Sequence, residues 1–435
     1  MKIKIEKTGI NGEGIGYLKN KPIFIASTLP QEIVEAEITV EKDRYAIGEC
    51  LRIVEKSSKR VEAPCLVQDR CGGCALMITD VANQEQLKLN NLKQSLLKYM
   101  GKFDYRLISQ LQSNPKPYNY RNQCKHPIKL EKKQLVAGFY KAGTNHFVSI
   151  KECIVHEDEL ERAKNAVLRI LNKHRCVDFD PPRLQGVRTL IIRSMGDEIQ
   201  ITIVTGKMSL DQTLIDDIMN IKSVTSLYHS VNTDRHAMDP FGKRLVHIAG
   251  KETLDFEFEG LKFALNPKAF FQLNTHQASV LFNAVKNLIP ENKRVVDAYC
   301  GIGALSLLLA QKSEKVVGIE FSQDAIDSAK SNAKLNDIKN IDFIVGDAAE
   351  KLSSLSSDFD VLVIDPPRSG LSDSMIKAMK EHQFNEIVYI SCNPSTLAKN
   401  LNDLKSQYRI KKIIPFDLFT HTPLLETVVH LERLK

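Results

Sequence analysis

Cys392 stands where its thiol could act as a nucleophile. Asn393 and Pro394 follow it, and these residue types favour the N-cap and the first turn of a helix, which we expect over 395–404. The N-terminus of a helix carries partial positive charge, which stabilises a thiolate. A buried, inert cysteine is the alternative, since that is the most common role of a thiol outside a disulfide.

Polar residues also follow a series of predicted strands, which alternate with amphipathic helices in the last third of the chain. The strands are predicted at 294–299, 315–319, 341–345, 359–364 and 386–390. The residues at their carboxyl ends are, in chain order, the turn from Gly301 to Gly303, Glu320, Asp347, Asp365 and Cys392. Open parallel sheets bind ligands at this edge, so the set predicts one site. Any one of the carboxylates alone would also fit a capping or loop role.

Two further strands are predicted at 410–415 and 427–432, and the loop between them ends at Glu426. If they form an antiparallel pair at the edge of the sheet, the last strand starts at the edge where the parallel strands finish. Glu426 is then predicted to face Cys392 and Asp365 across one crevice. A thiol and a carboxylate in one crevice can serve as nucleophile and general base.

The glycine turn and Glu320 favour a ligand that contains a ribose. Glu320 lies about 20 residues beyond the turn, where a carboxylate would meet ribose hydroxyls, and Ser322 is a suitable cap for the next helix. The region has neither a Gly-x-Gly-x-x-Gly turn nor a Walker A lysine. NAD and ATP are therefore disfavoured as cofactors.

The chain divides into three predicted domains. Residues 1–56 have short alternating strand patterns between glycine-rich turns, which predicts an OB-like β-barrel. Residues 57–262 mix helix and strand signals, which predicts an α+β domain. Residues 263–435 predict an α/β domain with a mostly parallel, doubly wound sheet and an antiparallel edge pair.

The formal charge of +7 is carried by the middle of the chain. Residues 1–56 contain nine Lys/Arg and nine Asp/Glu, and residues 263–435 contain twenty of each. Between Lys88 and Lys141 there are twelve basic, two acidic and seven aromatic residues. Cations for phosphates beside rings for unstacked bases are typical of a surface that binds single-stranded RNA. A solvated basic face over core aromatics is the alternative.

Four of the nine cysteines have a spacing that suits metal binding. Cys65, Cys71 and Cys74 are separated by five and two residues, and Cys153 lies far downstream. Four thiolates suit tetrahedral zinc or an iron–sulfur cluster, and the spacing does not choose between them. Three cysteines that are close only by chance are the third possibility. The other cysteines and the histidines form no ligand pattern, so packing or surface roles are expected for Cys50, Cys124, Cys176, Cys300, His126 and His156.

Several motifs together resemble those of the bacterial RNA uracil-C5 methyltransferases, over nearly the whole chain. They are Phe270-Phe271-Gln272, Tyr299-Cys300-Gly301, Asp365-Pro366-Pro367-Arg368, Ser391-Cys392-Asn393-Pro394, and His421-Thr422-Pro423 followed by Glu426. The resemblance implies a Rossmann-like catalytic domain that uses S-adenosyl-L-methionine (SAM), with Cys392 as nucleophile and Glu426 as base. The SAM contacts that it implies are Gln272, Tyr299, Glu320, Asp347 and Asp365. Ala304 departs from relatives that carry Asn there, so only a backbone contact to SAM is expected at that position.

The implied reaction requires both a nucleophile and a base. C5 of uracil is too weakly nucleophilic to take a methyl group from a sulfonium unaided. Addition of a thiolate to C6 turns the ring into an enolate with electron density on C5. The C5 proton must then leave so that the thiol can be eliminated.

The resemblance further implies that 23S rRNA is the substrate. The rRNA-modifying members carry a TRAM domain, here 1–56, and a [4Fe–4S] cluster, here on Cys65, Cys71, Cys74 and Cys153, whereas the tRNA-modifying members typically lack both. The same chemistry on a tRNA uridine is the alternative. A non-catalytic RNA-binding or ribosome assembly factor is a third possibility, but it would have no use for the catalytic set. Adenine-N6 methylation is disfavoured, because Arg368 stands where those enzymes carry an aromatic residue.

The N-terminus begins with charged alternation rather than an apolar signal region, and no apolar run approaches the ~20 residues of a spanning helix. We therefore expect a cytoplasmic monomer that binds RNA and no membrane, and that contains no disulfide framework.

Overall fold

The computed structural model describes residues 1–141, 143–237 and 239–435. The chain forms two units that alternate along the sequence. The first unit contains residues 1–117, 283–299 and 347–435, and the second contains residues 118–282 and 300–346. The two ends of the chain therefore belong to the same unit.

Strands and helices follow one another through both units. The strands are β1 Lys2–Thr8, β2 Gly14–Leu18, β3 Lys21–Ile25, β4 Ile33–Glu41, β5 Ala46–Glu55, β6 Gln123–Glu131, β7 Gln134–Tyr140, β8 Phe147–Ser149, β9 Val187–Met195, β10 Glu198–Thr205, β11 Val224–Val231, β12 Arg244–Gly250, β13 Leu254–Phe258, β14 Leu261–Leu265, β15 Arg294–Ala298, β16 Lys315–Glu320, β17 Ile341–Val345, β18 Val361–Ile364, β19 Glu386–Ser391, β20 Tyr408–Phe416 and β21 Glu426–Arg433. The helices are α1 Val81–Met100, α2 Asp158–Lys173, α3 Gln212–Met219, α4 Thr275–Leu288, α5 Ala304–Ala310, α6 Gln323–Leu335, α7 Ala348–Ser354, α8 Asp373–His382 and α9 Pro394–Leu404.

Strands β1 to β5 form a closed barrel at the N-terminus of the first unit. Their inward apolar residues, which include Ile5, Ile25 and Val34, form the barrel core. A side chain on Gly14 of β2 would overlap Thr28, so a glycine is needed for this close approach. The predicted barrel is confirmed.

Helix α1 follows the barrel after the loop that carries Cys65, Cys71 and Cys74. Its N-cap is Asp80, whose carboxylate accepts a hydrogen bond from the Asn83 N–H. The helix packs against α9 of the same unit. Through this contact the N-terminal part of the unit adjoins the helix that begins beside Cys392.

The second unit is built on a sheet with the strand order β12-β11-β10-β9-β6-β7-β8. Strands β10 and β11 run parallel, and the other neighbours run antiparallel. Helices α2 and α3 cover one face, and Leu160 and Val167 of α2 pack with Leu190 and Ile192 of β9 in a buried core. The same unit contains the β13–β14 hairpin and the parallel strands β16 and β17.

In the C-terminal part of the first unit, the strand order is β15-β18-β19-β21-β20. Strands β15, β18 and β19 are parallel, and β21 is antiparallel to both β19 and β20. All of β18 is buried, as expected for a parallel strand covered on both faces. The predicted parallel sheet with an antiparallel edge pair is confirmed. Among the described residues, none of the helices has the length and apolar character that crossing a membrane requires.

Candidate active site

Strand β19 and helix α9 position Cys392 in the first unit. Cys392 lies between Ser391, the last residue of β19, and Asn393, the N-cap of α9. The Asn393 Oδ1 atom accepts a hydrogen bond from the Ser395 N–H at 3.0 Å. Pro394 begins the helix, where its missing N–H costs nothing. The predicted helix start is confirmed, and the thiol is half-buried.

Glu426 is the first residue of β21, the strand next to β19. Ser391 pairs with Thr427 in antiparallel register. The next residue on each strand is therefore Cys392 on one and Glu426 on the other, and the two lie at the same end of the sheet. Glu426 is buried, with 7% of its surface exposed. The structure thus brings together the residues predicted to act as nucleophile and base.

Asp365 follows β18, the parallel neighbour of β19. Ile364 at the end of β18 pairs with Tyr389 of β19, so Asp365 stands at the same sheet edge as Cys392. It is half-buried, and its charge acts on both Cys392 and Glu426. Three acidic groups therefore share this edge.

Burial raises the pKa values of all three groups, and neighbouring negative charges raise those of Glu426 and Cys392 further. Burial raises the pKa of Asp365 to about 7. Burial and then the charge of Asp365 raise the pKa of Glu426 to about 8. Burial, followed by the charges of Glu426 and Asp365, raises the pKa of the Cys392 thiol to about 11, although Arg368 acts to lower it. Desolvation and the two carboxyls therefore oppose the stabilisation of a thiolate that the sequence analysis predicted for the helix N-terminus.

A buried polar network holds the loop that leads to Glu426. Lys88 of α1 is fully buried, and its Nζ atom donates to Asp417 Oδ1 at 2.5 Å. The Thr420 hydroxyl donates to the other oxygen of Asp417 at 2.9 Å. The His421 N–H donates to Gln84 Oε1, also on α1, at 2.9 Å. Helix α1 therefore fixes the 417–421 segment that precedes the predicted base.

The predicted RNA-binding segment from Lys88 to Lys141 is only partly on the surface. Lys88 is 1% exposed and Tyr120 is 6% exposed. Tyr105, Tyr118 and Tyr140 are exposed. The prediction is therefore wrong for Lys88, which neutralises a buried carboxylate, and for Tyr120, which packs in the interior.

Besides Asp365, two further predicted SAM contacts, Tyr299 and Asp347, lie in the first unit. Tyr299 follows β15 and has a φ of 68°, which is uncommon for a residue with a side chain. Asp347 is the N-cap of α7, and its Oδ1 atom accepts from the N–H groups of Ala349 and Glu350 at 2.9 and 3.1 Å. Capping alone accounts for the aspartate at position 347.

The other two, Glu320 and Gln272, lie in the second unit. Glu320 ends β16, and its two oxygens accept from the N–H groups of Gly301 and Ser322 at 3.2 and 3.0 Å. Gly301 has a φ of 55°, and a Cβ atom there would meet nothing within 4 Å. Glu320 therefore ties an open glycine turn to the end of the strand. The backbone carbonyl of Gln272 accepts from Asn122 Nδ2 at 3.0 Å, which holds the segment that carries this glutamine.

Phe321 in the second unit is a candidate ligand-binding residue that the sequence analysis missed. It is 78% exposed and directly follows Glu320, and Phe270 is 65% exposed. An exposed ring beside a strand-end carboxylate offers the apolar, flat surface that a purine can stack on. The available signal was the position of Phe321, one residue after the acidic residue predicted to meet a ribose.

The cysteines predicted to bind metal are found in two loops. Cys65, Cys71 and Cys74 lie in the first unit, and Cys153 lies in the second. All nine cysteines are in the described part of the chain, and none forms a disulfide. Burial and the charge of Cys65 raise the pKa of Cys71, so these two thiols are neighbours. The backbone of Gly73 forms a hydrogen bond with the Cys71 thiol, and a Cβ atom on Gly73 would be in ordinary van der Waals contact with Cys71 Sγ, at 3.5 Å.

A group with metal-ligand chemistry that the sequence analysis missed lies in the second unit. One potential ligand atom from each of Cys124, His126 and His156 lies within 4.8 Å of the others, and all three residues are buried. Cys124 and His126 are two residues apart on β6 and therefore face the same side of the sheet. The structure corrects the prediction that these residues form no grouping. The local signal was the Cys-x-His alternation within a strand.

Comparison with known proteins identifies the family. Residues 84–434 match the family described as tRNA (Uracil-5-)-methyltransferase, and residues 1–51 match the TRAM domain. The chain belongs to the tRNA (uracil-5-)-methyltransferase family.

Relatives of similar length support membership of the tRNA (uracil-5-)-methyltransferase family. An uncharacterized RNA methyltransferase of Bacillus cereus is 33% identical, over 99% of this chain and 96% of the relative. Another from Lactobacillus johnsonii is 34% identical with the same coverage. The crystal structure of the Pyrococcus abyssi tRNA (uracil-54, C5)-methyltransferase in complex with S-adenosyl-L-homocysteine has a TM-score of 0.80 and 26% identity, over 99% of this chain and 100% of that chain.

As a member of the tRNA (uracil-5-)-methyltransferase family, the chain is an RNA-modifying enzyme that uses SAM. Its catalytic fold is Rossmann-like, and its barrel is a TRAM domain. The predicted family, enzyme class, methyl donor and RNA substrate class are confirmed. The family description does not decide which RNA is modified.

Proposed function

We propose that the enzyme methylates C5 of a uridine in 23S rRNA through a covalent bond between Cys392 and C6. The observation that carries this proposal is the β19–β21 register, which ends at the pair Ser391–Thr427, so that Cys392 directly follows one member and Glu426 directly precedes the other. A thiol and a buried carboxyl at one sheet edge are the two groups that uracil-C5 methylation requires.

In the first step, the Cys392 thiol gives its proton to solvent and its sulfur adds to C6 of the uracil. The electron pair of the C5–C6 double bond moves toward C5 and the O4 carbonyl, which gives an enolate. Asp365 and Glu426 raise the pKa of the thiol, so protonation of these carboxyls or a nearby positive charge favours this step.

In the second step, Glu426 acts as the base. After C5 has taken the methyl group, it holds both this group and its original proton. The Glu426 carboxylate removes the proton, the electrons of the C–H bond restore the C5–C6 double bond, and the bond from C6 to Cys392 breaks. A pKa of about 8 suits a group that must both accept a proton and release it near neutral pH.

The residues at the strand ends fit SAM, which supplies the methyl group as an electrophilic sulfonium. Glu320 would meet the ribose hydroxyls, since its carboxylate already orders the open turn at Gly301. Phe321 offers a surface for the adenine ring. Asp365 provides negative charge toward a sulfonium, and Gln272 and Tyr299 are the remaining polar contacts that we propose. Of the proposed SAM contacts, Asp347 has the least support, because its Oδ1 atom already accepts hydrogen bonds as the N-cap of α7.

We further propose that Cys65, Cys71, Cys74 and Cys153 hold a [4Fe–4S] cluster. Two observations support this proposal. Cys65 and Cys71 are neighbours, and the backbone of Gly73 forms a hydrogen bond with Cys71, as backbone groups do with the sulfurs around iron–sulfur clusters. Protein purified without oxygen should contain about four irons per chain and absorb visible light. A colourless protein without iron would contradict this assignment.

The proposed domains are an RNA-binding barrel in 1–56, a central α+β domain in 57–262 that carries the cluster, and a catalytic domain in 263–435. The match of residues 1–51 to the TRAM domain supports the first of these limits.

A tRNA uridine is the second candidate substrate, because the Pyrococcus abyssi structure with a TM-score of 0.80 is a tRNA methyltransferase. Unmodified 23S rRNA and tRNA transcripts should be incubated separately with the enzyme and radiolabelled SAM, and the labelled nucleotide mapped. We expect 5-methyluridine in 23S rRNA. Label confined to tRNA would overturn the choice of RNA, and label in neither RNA, or at another base, would overturn the reaction. Cys392→Ala serves as the control for label that does not depend on the site.

A further inference from the structure

The buried group formed by Cys124, His126 and His156 has properties that packing alone does not explain. Cys124 and His126 extend from the same face of β6, and His156 lies in the loop before α2. One potential ligand atom from each residue lies within 4.8 Å of the others. His126 is fully buried and His156 is 1% exposed.

The hydrogen bonds of His126 show which of its nitrogens has a lone pair. Its Nδ1 atom lies 3.2 Å from the carbonyl oxygen of Gly138. A carbonyl only accepts, so Nδ1 carries the proton and Nε2 of the neutral ring is an acceptor. Among the described residues this Nε2 atom has no hydrogen-bond partner, although it is buried. Native proteins rarely leave such an atom without a donor or an ion.

His156 is oriented in the same way by a carboxylate. Its Nδ1 atom lies 2.7 Å from Glu161 Oε1, and the other oxygen of Glu161 accepts from Lys164 Nζ at 2.5 Å. The salt bridge with the buried Lys164 keeps Glu161 ionised, so Nδ1 donates and Nε2 of a neutral ring has the lone pair. A histidine whose far nitrogen donates to a carboxylate is the usual arrangement behind a metal ligand.

We propose that Cys124 Sγ, His126 Nε2 and His156 Nε2 bind one Zn²⁺ ion, at a site separate from Cys65, Cys71, Cys74 and Cys153. Zinc bonds to nitrogen and sulfur are about 2.0–2.3 Å long, so the ligand atoms of a tetrahedral site are about 3.5 Å apart. The ligand atoms lie within 4.8 Å of one another, so binding requires them to approach by at most about 1.3 Å. Three protein ligands with a water in the fourth position form an ordinary zinc site.

Zinc binding would give the buried polar atoms of Cys124, His126 and His156 a partner. The ion would accept the lone pairs of the two imidazoles, and Cys124 would bind as a thiolate after its proton passes to solvent. The ion would thereby join β6 of the central sheet to the loop that leads into α2. The site does not depend on the proposed reaction or on the proposed iron–sulfur cluster.

The first test uses the full-length wild-type protein incubated with Zn²⁺ alone and freed of excess metal. We expect one tightly bound zinc per chain, and X-ray absorption at the zinc edge should show one sulfur and at least two imidazole nitrogens around it. A shell of sulfurs only would place the zinc at the other cysteines and overturn the proposal. Failure to retain stoichiometric zinc would also overturn it.

The second test compares matched histidine variants. His126→Gln should lose the zinc. His247→Gln should keep it, because His247 also has a buried Nε2 atom without a hydrogen-bond partner among the described residues but lies outside the group. Cys71→Ser should lose iron and keep zinc. Equal zinc contents in the two histidine variants would contradict the assignment, and if His126→Gln does not fold, the absorption spectrum of the wild-type protein still decides.

Discussion

Glu426 stands opposite Cys392 at the point where β21 and β19 leave their shared register. The pair just inside it, Thr427 and Ser391, is the last that the two strands form. A single shift of this register would move the carboxyl to the other face of the sheet, because side chains alternate along a strand. The edge pairing of β20, β21 and β19 therefore sets the relative position of the two groups on which the proposed reaction depends.

Loss of the Cys392 thiol and loss of the Glu426 carboxyl should have different effects on the reaction. Cys392→Ala should abolish methyl transfer and covalent attachment to RNA. Glu426→Gln should slow turnover by about 10²–10⁴-fold, as expected for loss of a general base. It should also accumulate a protein–RNA adduct that survives denaturing gels, because the C5 proton cannot leave. Cys176→Ala, which removes a half-buried cysteine elsewhere, should behave as wild type. A Cys392→Ala enzyme with a normal rate would exclude the covalent route.

The pH dependence of kcat/KM should rise first with a midpoint near 7 to 8 and then again toward the pKa of about 11 of the Cys392 thiol. The reaction uses the deprotonated forms of Glu426 and Cys392, and the pKa of Glu426 is raised to about 8. Asp365 has a pKa raised to about 7 and interacts with Glu426, so the measured midpoint belongs to the pair. Asp365→Asn removes a negative charge and should move the midpoint to lower pH. A flat profile, or a shift to higher pH in the variant, would contradict this electrostatic arrangement.

The sequence predicts the strand ends of the α/β region well. Strand β17 is predicted and observed at 341–345, and β19 is predicted at 386–390 and observed at Glu386–Ser391. Strand β19 is buried along almost its whole length, and such a parallel strand is a continuous apolar run that stops at polar residues, so both ends are visible in the sequence. The position of Glu426 opposite Cys392 follows from these limits together with the antiparallel edge pair.

Local sequence patterns do not predict properties that depend on contacts between residues far apart in the sequence. The raised pKa of Cys392 reflects burial and then the charges of Glu426 and Asp365, which come from two other strands. Lys88 looks like a surface cation in its basic segment, but its partner Asp417 is 329 residues away. His126 and His156 approach each other only because the loop before α2 returns to β6.

The ion pair between Lys88 and Asp417 should be required for stability. Both side chains are fully buried. Lys88→Met would leave Asp417 without its partner and should lower the free energy of unfolding by about 3–5 kcal/mol, as measured by urea denaturation. The double variant Lys88→Met/Asp417→Leu should recover part of this loss. Lys377→Met, which removes an exposed pair with Glu381 at 3.7 Å, should change stability by about 0.5 kcal/mol or less. Equal effects of the two lysine variants would contradict the prediction.

Glu320 should contribute strongly to cofactor affinity. Its carboxylate orders the glycine turn and is the group proposed to meet the ribose. Glu320→Gln should weaken binding of S-adenosyl-L-homocysteine by about 10–100-fold, which corresponds to the ~1.5–3 kcal/mol of hydrogen bonds to a charged group. Isothermal titration calorimetry measures this directly. Glu314→Gln, at an exposed position before the same strand, is the matched control. Unchanged affinity in the Glu320 variant would exclude this role.

Glu426 should make the folded protein less stable as pH rises. Its pKa is raised from an ordinary value of 4.5 to about 8 in the folded state, so between these values the folded chain binds a proton that the unfolded chain does not. The resulting stability is fully present below pH 4.5 and is lost as pH rises through 8, at about 1.4 kcal/mol per pKa unit. Glu426→Gln cannot ionise, so its Tm relative to wild type should increase between about pH 6 and pH 8 and level off above pH 8. Glu381→Gln removes an exposed carboxylate on α8 and should not reproduce this trend. A Tm difference for Glu426→Gln that stays constant or shrinks over this range would show that the carboxyl is already ionised at pH 6.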